Sequence, residues 1–239
     1  MERFWEIDTL RGIAIIKMIL SNFIFDLIIF TSFSDELLTS FFMFPLASII
    51  FMSLMGISLS ISYSRVQNKG KKVIYKKYLR RGGKVFGLGL IITIITFLFL
   101  PEGMIWFGVL HFVGLGIILL IPTLRYKKAH LIGGIIIVIV GILLWGMFFD
   151  FPWLLWLGLK PMGFYTFDYF PVLPWIGVSM IGLFVGKTLY PGAKRKYNVP
   201  EVNNVVVRFF SMIGRKSLYI YLIHQPVLVG IIYLYLFLI

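Results

Sequence analysis

Runs of aliphatic and aromatic residues, each about the length of a membrane-crossing helix, repeat along almost the whole chain with short polar stretches between them. A hydrocarbon core roughly 30 Å thick takes about 20 helical residues to cross. On that measure about seven spans are predicted, at 9–32, 41–63, 84–101, 105–124, 130–149, 171–190 and 217–239. The expected fold class is an all-α membrane protein, a polytopic helical bundle forming one domain over 1–239. Pro45, Pro174 and Pro226 fall within or at the edges of spans and should bend or interrupt them. Before the last span, residues 202–214 alternate apolar clusters with Asn203, Asn204, Arg208 and Ser211. That pattern predicts a short amphipathic helix along the cytoplasmic surface, ending near Gly214. No internal repeat is evident, which weighs against an inverted-repeat transporter.

Composition agrees: the chain is 59% hydrophobic and 18% aromatic, where soluble domains are roughly 45–50% apolar. The net charge of +13 invites a nucleic-acid reading, but its distribution gives another. With the N-terminus inside, all of the 23 basic residues fall on the inner side except Lys17, within the first span, and Lys160, outside. The positive-inside rule then orients the bundle N-in and C-out. The basic run Lys69, Lys71, Lys72, Lys76, Lys77, Arg80, Arg81 and Lys84 serves as a topology signal with affinity for anionic lipid. A phosphate-bearing cytosolic donor is the second partner that run would suit. The outer segment 150–170 carries Trp153, Trp156, Phe164, Tyr165, Phe167 and Tyr169, an interfacial belt or a lid over the outer mouth. Arg3 precedes an apolar stretch long enough to span and lacking a small-residue cleavage site, so no cleavable signal is expected. The absence of cysteine removes disulfides, thiolate metal sites and a cysteine nucleophile.

Three polar signatures interrupt this apolar background: Trp5 to Gly12 (WEIDTLRG), Asp168-Tyr169-Phe170 leading to Pro174-Trp175, and Tyr221 to Pro226 (YLIHQP). An ionisable group in hydrocarbon is costly, so such residues usually face a bundle interior or a pathway. In the first span Asn22 and Asp26 share a face at i, i+4. They would line an outward-facing cavity, or Asn22 would bond another helix while Asp26 snorkels outward. Asp8 and Arg11, at i, i+3, form either a structural ion pair or a site where Arg11 holds a cofactor phosphate; Asp8 or Thr9 would cap the helix. His111, flanked by Gly108 and Gly114, could act as general base toward an alcohol or amine, or pack as a hydrogen-bonded histidine. His224, just before Pro226, could serve as a second base or cavity wall, whereas His130 belongs at the membrane surface. Asp168 would cap a helix or, with Tyr169, contact an acceptor. Gly182 to Thr188 imitates a phosphate-binding loop but has one residue too few between its glycines and follows no strand. No zinc-protease motif is present, and no metal is expected.

Four stretches, EIDTLRGIAIIKMILSN, WFGVLHFVGLGIILL, DYFPVLPWIGVSMIGLFVG and GRKSLYIYLIHQP, stand in order along the chain. Together they resemble the prokaryotic branch of the heparan-alpha-glucosaminide N-acetyltransferase catalytic domain family, formerly a domain of unknown function, within the transmembrane acyltransferases. The resemblance covers roughly 3–236. Its lysosomal member moves acetyl from cytosolic acetyl-CoA to a glucosamine amine on the far side of the membrane, and homodimers occur in the family. The resemblance thus implies a multi-pass cell-membrane protein with a CoA-facing inner mouth and an acceptor-facing outer mouth. Asn22 matches the family's first-helix active-site Asn, and Asp8, Arg11 and Gly12 match its Asp, Arg and Gly. The lysosomal enzyme has its catalytic histidine in the outer loop soon after that Asn, while residues 28–41 here contain no histidine.

The expectation is an acyltransferase moving acetyl, or a similar short acyl group, to a hydroxyl or amine of an extracytoplasmic glycan or lipid head group. Arg11, Asp8, Arg80 and Arg81 would hold the donor. His111 and Asn22 would face the reacting carbonyl with His224 in reserve, and Asp168, Asp26 and Tyr169 would meet the acceptor. A transporter or flippase-like channel built on the same polar cavity is the alternative, and a catalytically inactive family member is a third.

Overall fold

The computed structural model describes residues 3–31, 35–43, 45–202 and 204–238. Their helices are α1 (Trp5–Phe30), α2 (Glu36–Met43), α3 (Leu46–Ser64), α4 (Lys71–Phe99), α5 (Val109–Leu120), α6 (Lys128–Leu144), α7 (Val172–Leu189), α8 (Val205–Arg215) and α9 (Ser217–Leu238). No strand occurs among the described residues, only isolated bridges at Phe107–Tyr169 and Phe148–Lys160. Five helical segments are long and apolar enough to cross a membrane: α1, Leu38–Ser64, α4, α7 and α9. Their outward surfaces are apolar, with Phe99 at 75% and Phe237 at 86% exposure, as a lipid-facing surface requires.

The predicted spans at 105–124 and 130–149 are shorter as helices, at 12 residues in α5 and 17 in α6. At 1.5 Å per residue α5 rises about 18 Å, less than a hydrocarbon core. It starts late because residues 103–107 pair with the segment before α7: Phe167 N donates to Gly103 O at 3.1 Å and Phe170 N to Phe107 O at 2.9 Å. In the opposite direction, α4 begins at Lys71, so all of the basic run after Lys69 is itself helical and continuous with the apolar span. Leu173 breaks the helical dihedrals beside Pro174 at the start of α7, whereas α9 carries Pro226 in its interior.

The chain forms two compact units, Met1–Phe51 with Pro200–Ile239, and Met52–Val199. In the first, α1 packs on α8 and α9. α8 lies across the first turns of α1 because both carry glycine at the crossing. A Cβ on Gly12 would overlap the Phe210 carbonyl, and one on Gly214 the Asp8 carbonyl. Small residues let two backbones approach closely, and here the Thr9 and Ser211 hydroxyls meet across the crossing at 2.7 Å. Asn204 caps α8 by accepting the Val206 N–H at 2.8 Å; Asn203 lies outside the described residues. The predicted amphipathic helix is therefore formed, with Val205, Val206, Phe209 and Met212 exposed.

The second unit uses the same device repeatedly. A Cβ on Gly114 would come within 2.5 Å of the Phe86 backbone nitrogen in α4, and one on Gly177 within 2.6 Å of the Gly134 carbonyl in α6. α3 and α7 meet at Gly56 and Gly182 in the same way. Bilayer lipid is as apolar as leucine, so close backbone packing, rather than expulsion of water, must hold such helices together.

Candidate functional site

In the first unit, α1 and α9 bring two pairs of polar side chains together. His224 Nδ1 lies 2.6 Å from the Tyr221 carbonyl oxygen. A carbonyl only accepts, so Nδ1 carries the proton and a neutral ring has its lone pair on Nε2. Asn22 Nδ2 lies 2.7 Å from that Nε2 and donates to it. One turn further along α1, both Asp26 carboxylate oxygens accept from Gln225 Nε2, at 2.8 and 3.0 Å. Asp26 is 2% exposed, and Gln225 Oε1 is buried without a hydrogen-bond partner. The i, i+4 spacing on α1 and two consecutive residues on α9 thus build a ladder of two rungs. Pro226, which has no N–H, also leaves the Leu222 carbonyl without its α-helical donor.

The same unit carries an ion cluster at the start of α1. Arg11 Nη1 meets Asp8 Oδ1 at 2.9 Å, and Arg215 Nε, at the end of α8, lies 3.6 Å from Asp8 Oδ2. Between cluster and ladder, Lys17 Nζ donates to Ser21 Oγ at 3.0 Å. Arg11 and Asn22 stand three helical turns apart on one face of α1, a separation of about 17 Å along the axis.

The second unit holds the other predicted residues, and their polar atoms act within its own framework. Asp168 Oδ2 accepts the Val109 N–H at 3.0 Å, capping α5. Gly108 makes room for this, since a Cβ there would overlap the Asp168 carboxylate. His111 Nδ1 accepts from the Gly108 N–H at 3.2 Å. Its Nε2 then bears the proton and donates to Thr93 Oγ1 at 3.2 Å, while the Thr93 hydroxyl donates to Ile105 O at 2.6 Å. The ring is 2% exposed and packed at 5.3 Å from Phe86 and 5.6 Å from Phe107. The one lone pair of this ring, on Nδ1, is taken by a backbone N–H at the start of its own helix, the surroundings of a hydrogen-bonded packing histidine, which is one of the two readings open from the sequence. Tyr169 donates to Leu155 O at 2.7 Å, and burial pushes its phenol up to about 12. His130, expected at the membrane surface, is completely buried and meets Thr123 Oγ1 at 3.1 Å. Arg80 and Arg81 are exposed on α4.

Two participants carry little local signal in the sequence. Gln225 stands next to His224 within the quoted motif, and a polar residue beside a histidine in an apolar span was the available signal. Arg215 is one of the inner basic residues, and nothing local distinguishes it from Lys216.

The family model described as Heparan-alpha-glucosaminide N-acetyltransferase, catalytic, matches residues 3–226. The chain belongs to that family. No curated protein and no solved structure matches it. For the N-acetyltransferase family the matched interval contains the ion cluster, the Asn22–His224 rung and the Asp26–Gln225 rung together, and it ends at Pro226. Family membership makes this chain a member of an acetyltransferase family with membrane-length apolar helices.

Proposed function

We propose that the protein is a membrane acetyltransferase whose reacting groups are Asn22 and His224, with acetyl-CoA as donor and an amine or hydroxyl of an extracytoplasmic glycan or lipid head group as acceptor. The observation that carries this is the 2.7 Å contact between Asn22 and His224 Nε2. It gives the family's first-helix Asn a histidine partner in a chain that has none in the loop after α1. The Tyr221 carbonyl holds the Nδ1 proton, which leaves the lone pair on Nε2, where it accepts from Asn22 and becomes a base once Asn22 turns its N–H to the substrate.

In the reaction, the acceptor N–H or O–H gives its proton to His224 Nε2 as the acceptor attacks the acetyl carbonyl. Asn22 Nδ2 turns its N–H toward the oxygen that gains charge. The C–S bond then breaks, and the His224 proton passes to the departing thiolate, so atoms and charge balance. A positioned base of this kind contributes about 10²–10⁴-fold, and an oxyanion donor about 10²–10³-fold. Arg11 would hold donor phosphates at the inner end of α1, assuming the predicted seven-span, N-in topology. Its separation from Asn22, about 17 Å, is comparable to the reach of an extended phosphopantetheine arm. In this reading Asp26 and Gln225 face the acceptor, Asp168, Tyr169 and His111 brace the framework of the second unit, and Arg80 and Arg81 meet anionic lipid.

Calorimetry of acetyl-CoA binding to the purified protein in detergent, with Arg11→Ala alongside, tests the donor half. Binding that weakens in the variant is expected; a folded wild-type protein that does not bind acetyl-CoA would overturn the acetyltransferase reading and favour a transporter using the same polar groups.

A further inference from the structure

Asp8 has a second cationic neighbour. The Asp8 side chain is 11% exposed, that of Arg11 23% and that of Arg215 52%. One nearly buried carboxylate therefore stands between two more accessible guanidiniums, and the cluster keeps a net positive charge. The position of Arg215 is set by the tightest crossing in the unit. Gly214 precedes it and rests on the Asp8 carbonyl, Gly12 rests on Phe210, and Thr9 meets Ser211 at 2.7 Å. The α1–α8 joint therefore carries the two arginines to different oxygens of the same carboxylate. As a salt bridge alone, a half-exposed pair at 3.6 Å would contribute little to stability. Two forks converging on one anchored carboxylate suit a different task, since guanidinium matches phosphate geometry bidentately.

We infer that Arg11 and Arg215 form a two-guanidinium clamp for the phosphate groups of the acyl donor, with Asp8 as a positioning residue that orients both. This rests on the acetyl-CoA reading above. The ligand chemistry is a phosphate ester or pyrophosphate, and CoA offers both: a pyrophosphate that leads into the pantetheine arm and a phosphate on its ribose. Asp8 neutralises one of the two positive charges. The clamp therefore holds an anion without the full repulsion of two unshielded arginines, and its affinity falls as salt screens it.

The test is calorimetry on the full chain in detergent, wild type against Arg215→Ala and Arg215→Lys, with CoA and with dephospho-CoA. Arg215→Ala should weaken CoA binding about tenfold to a hundredfold, the range for losing a charge-assisted contact. Arg215→Lys, which keeps the charge and loses the fork, should recover part of that loss at an unchanged unfolding temperature, and it carries the test if the alanine variant does not fold. An equal loss for both ligands assigns Arg215 to the pyrophosphate; a loss confined to CoA assigns it to the ribose phosphate. CoA affinity that is unaltered in Arg215→Ala, in a wild-type protein that does bind CoA, overturns the clamp and leaves the acetyltransferase reading intact. The clamp also fails if both variants lose affinity equally and unfold at a lower temperature. A folded wild type that does not bind CoA would remove both readings.

Discussion

Exchanging each of two histidines for alanine should destabilise the fold in both cases but lower kcat in only one, and the difference follows from where their ring nitrogens point. In His224→Ala the Tyr221 carbonyl loses a donor at 2.6 Å, but it sits within α9 and keeps its own helical N–H. Asn22 loses its acceptor at 2.7 Å but is only half-buried. The stability loss is then about one net hydrogen bond, ~0.5–1.5 kcal/mol, plus a cavity cost of about 2–3 kcal/mol because His224 is itself buried, while removal of the base lowers kcat about 10²–10⁴-fold. In His111→Ala the Gly108 N–H, donated at 3.2 Å into a buried ring, is left without its acceptor, and Thr93 loses its imidazole partner. An unsatisfied buried group costs about 1–3 kcal/mol. The space vacated between Phe86 and Phe107 adds a cavity cost of about 2–3 kcal/mol. His111→Ala should therefore unfold at a clearly lower temperature, yet its folded fraction should keep near-wild-type kcat. The assay is release of CoA and capture of labelled acetyl from acetyl-CoA in proteoliposomes. Glucosamine and a polar lipid extract would be offered as acceptors, with rates normalised to monodisperse protein. The reasoning is refuted if His224→Ala stays within about threefold of wild type in kcat, or if His111→Ala loses activity at an unchanged unfolding temperature.

Two further outcomes concern the scaffold. Gly12→Ala or Gly214→Ala places a Cβ against a backbone carbonyl across the α1–α8 crossing, so each should destabilise the first unit by about 1–3 kcal/mol or more. Since both push the same pair of helices apart, the double variant should cost less than the sum, read by thermal unfolding in detergent. Asp168→Ala removes the carboxylate that accepts the Val109 N–H. It should lower stability by about 0.5–2 kcal/mol with kcat unchanged, and a large loss of kcat would return Asp168 to the acceptor site.

The apolar runs by themselves determined that the chain is helical and membrane-length, because hydrocarbon admits only segments whose backbone groups are satisfied internally. Local spacing was equally legible. Asn22 with Asp26, and Asp8 with Arg11, share faces through helix geometry alone, whatever they later touch. What each face meets could not be read, since His224 lies 202 residues from Asn22 and Gln225 lies 199 from Asp26. The same limit applies to Arg215, which has no local feature to separate it from its basic neighbours; only the crossing of α8 over Gly12 brings it to Asp8. The two histidines show the physical reason most clearly. Both stand in apolar spans beside small or helix-interrupting residues, and sequence favoured His111. The partners of their nitrogens came only with packing: Thr93 on another helix and the Gly108 turn capped by Asp168 for His111, and Asn22 on α1 for His224. The start of α5 was likewise decided by packing, because the backbone pairing of Gly103 and Phe107 with Phe167 and Phe170, distant in sequence, outweighed the local tendency of residues 105–108 to continue as helix. Helix formation and facing are set by neighbours a turn away, whereas the partners of His111, His224 and Arg215 are set by contacts that exist only after the helices pack.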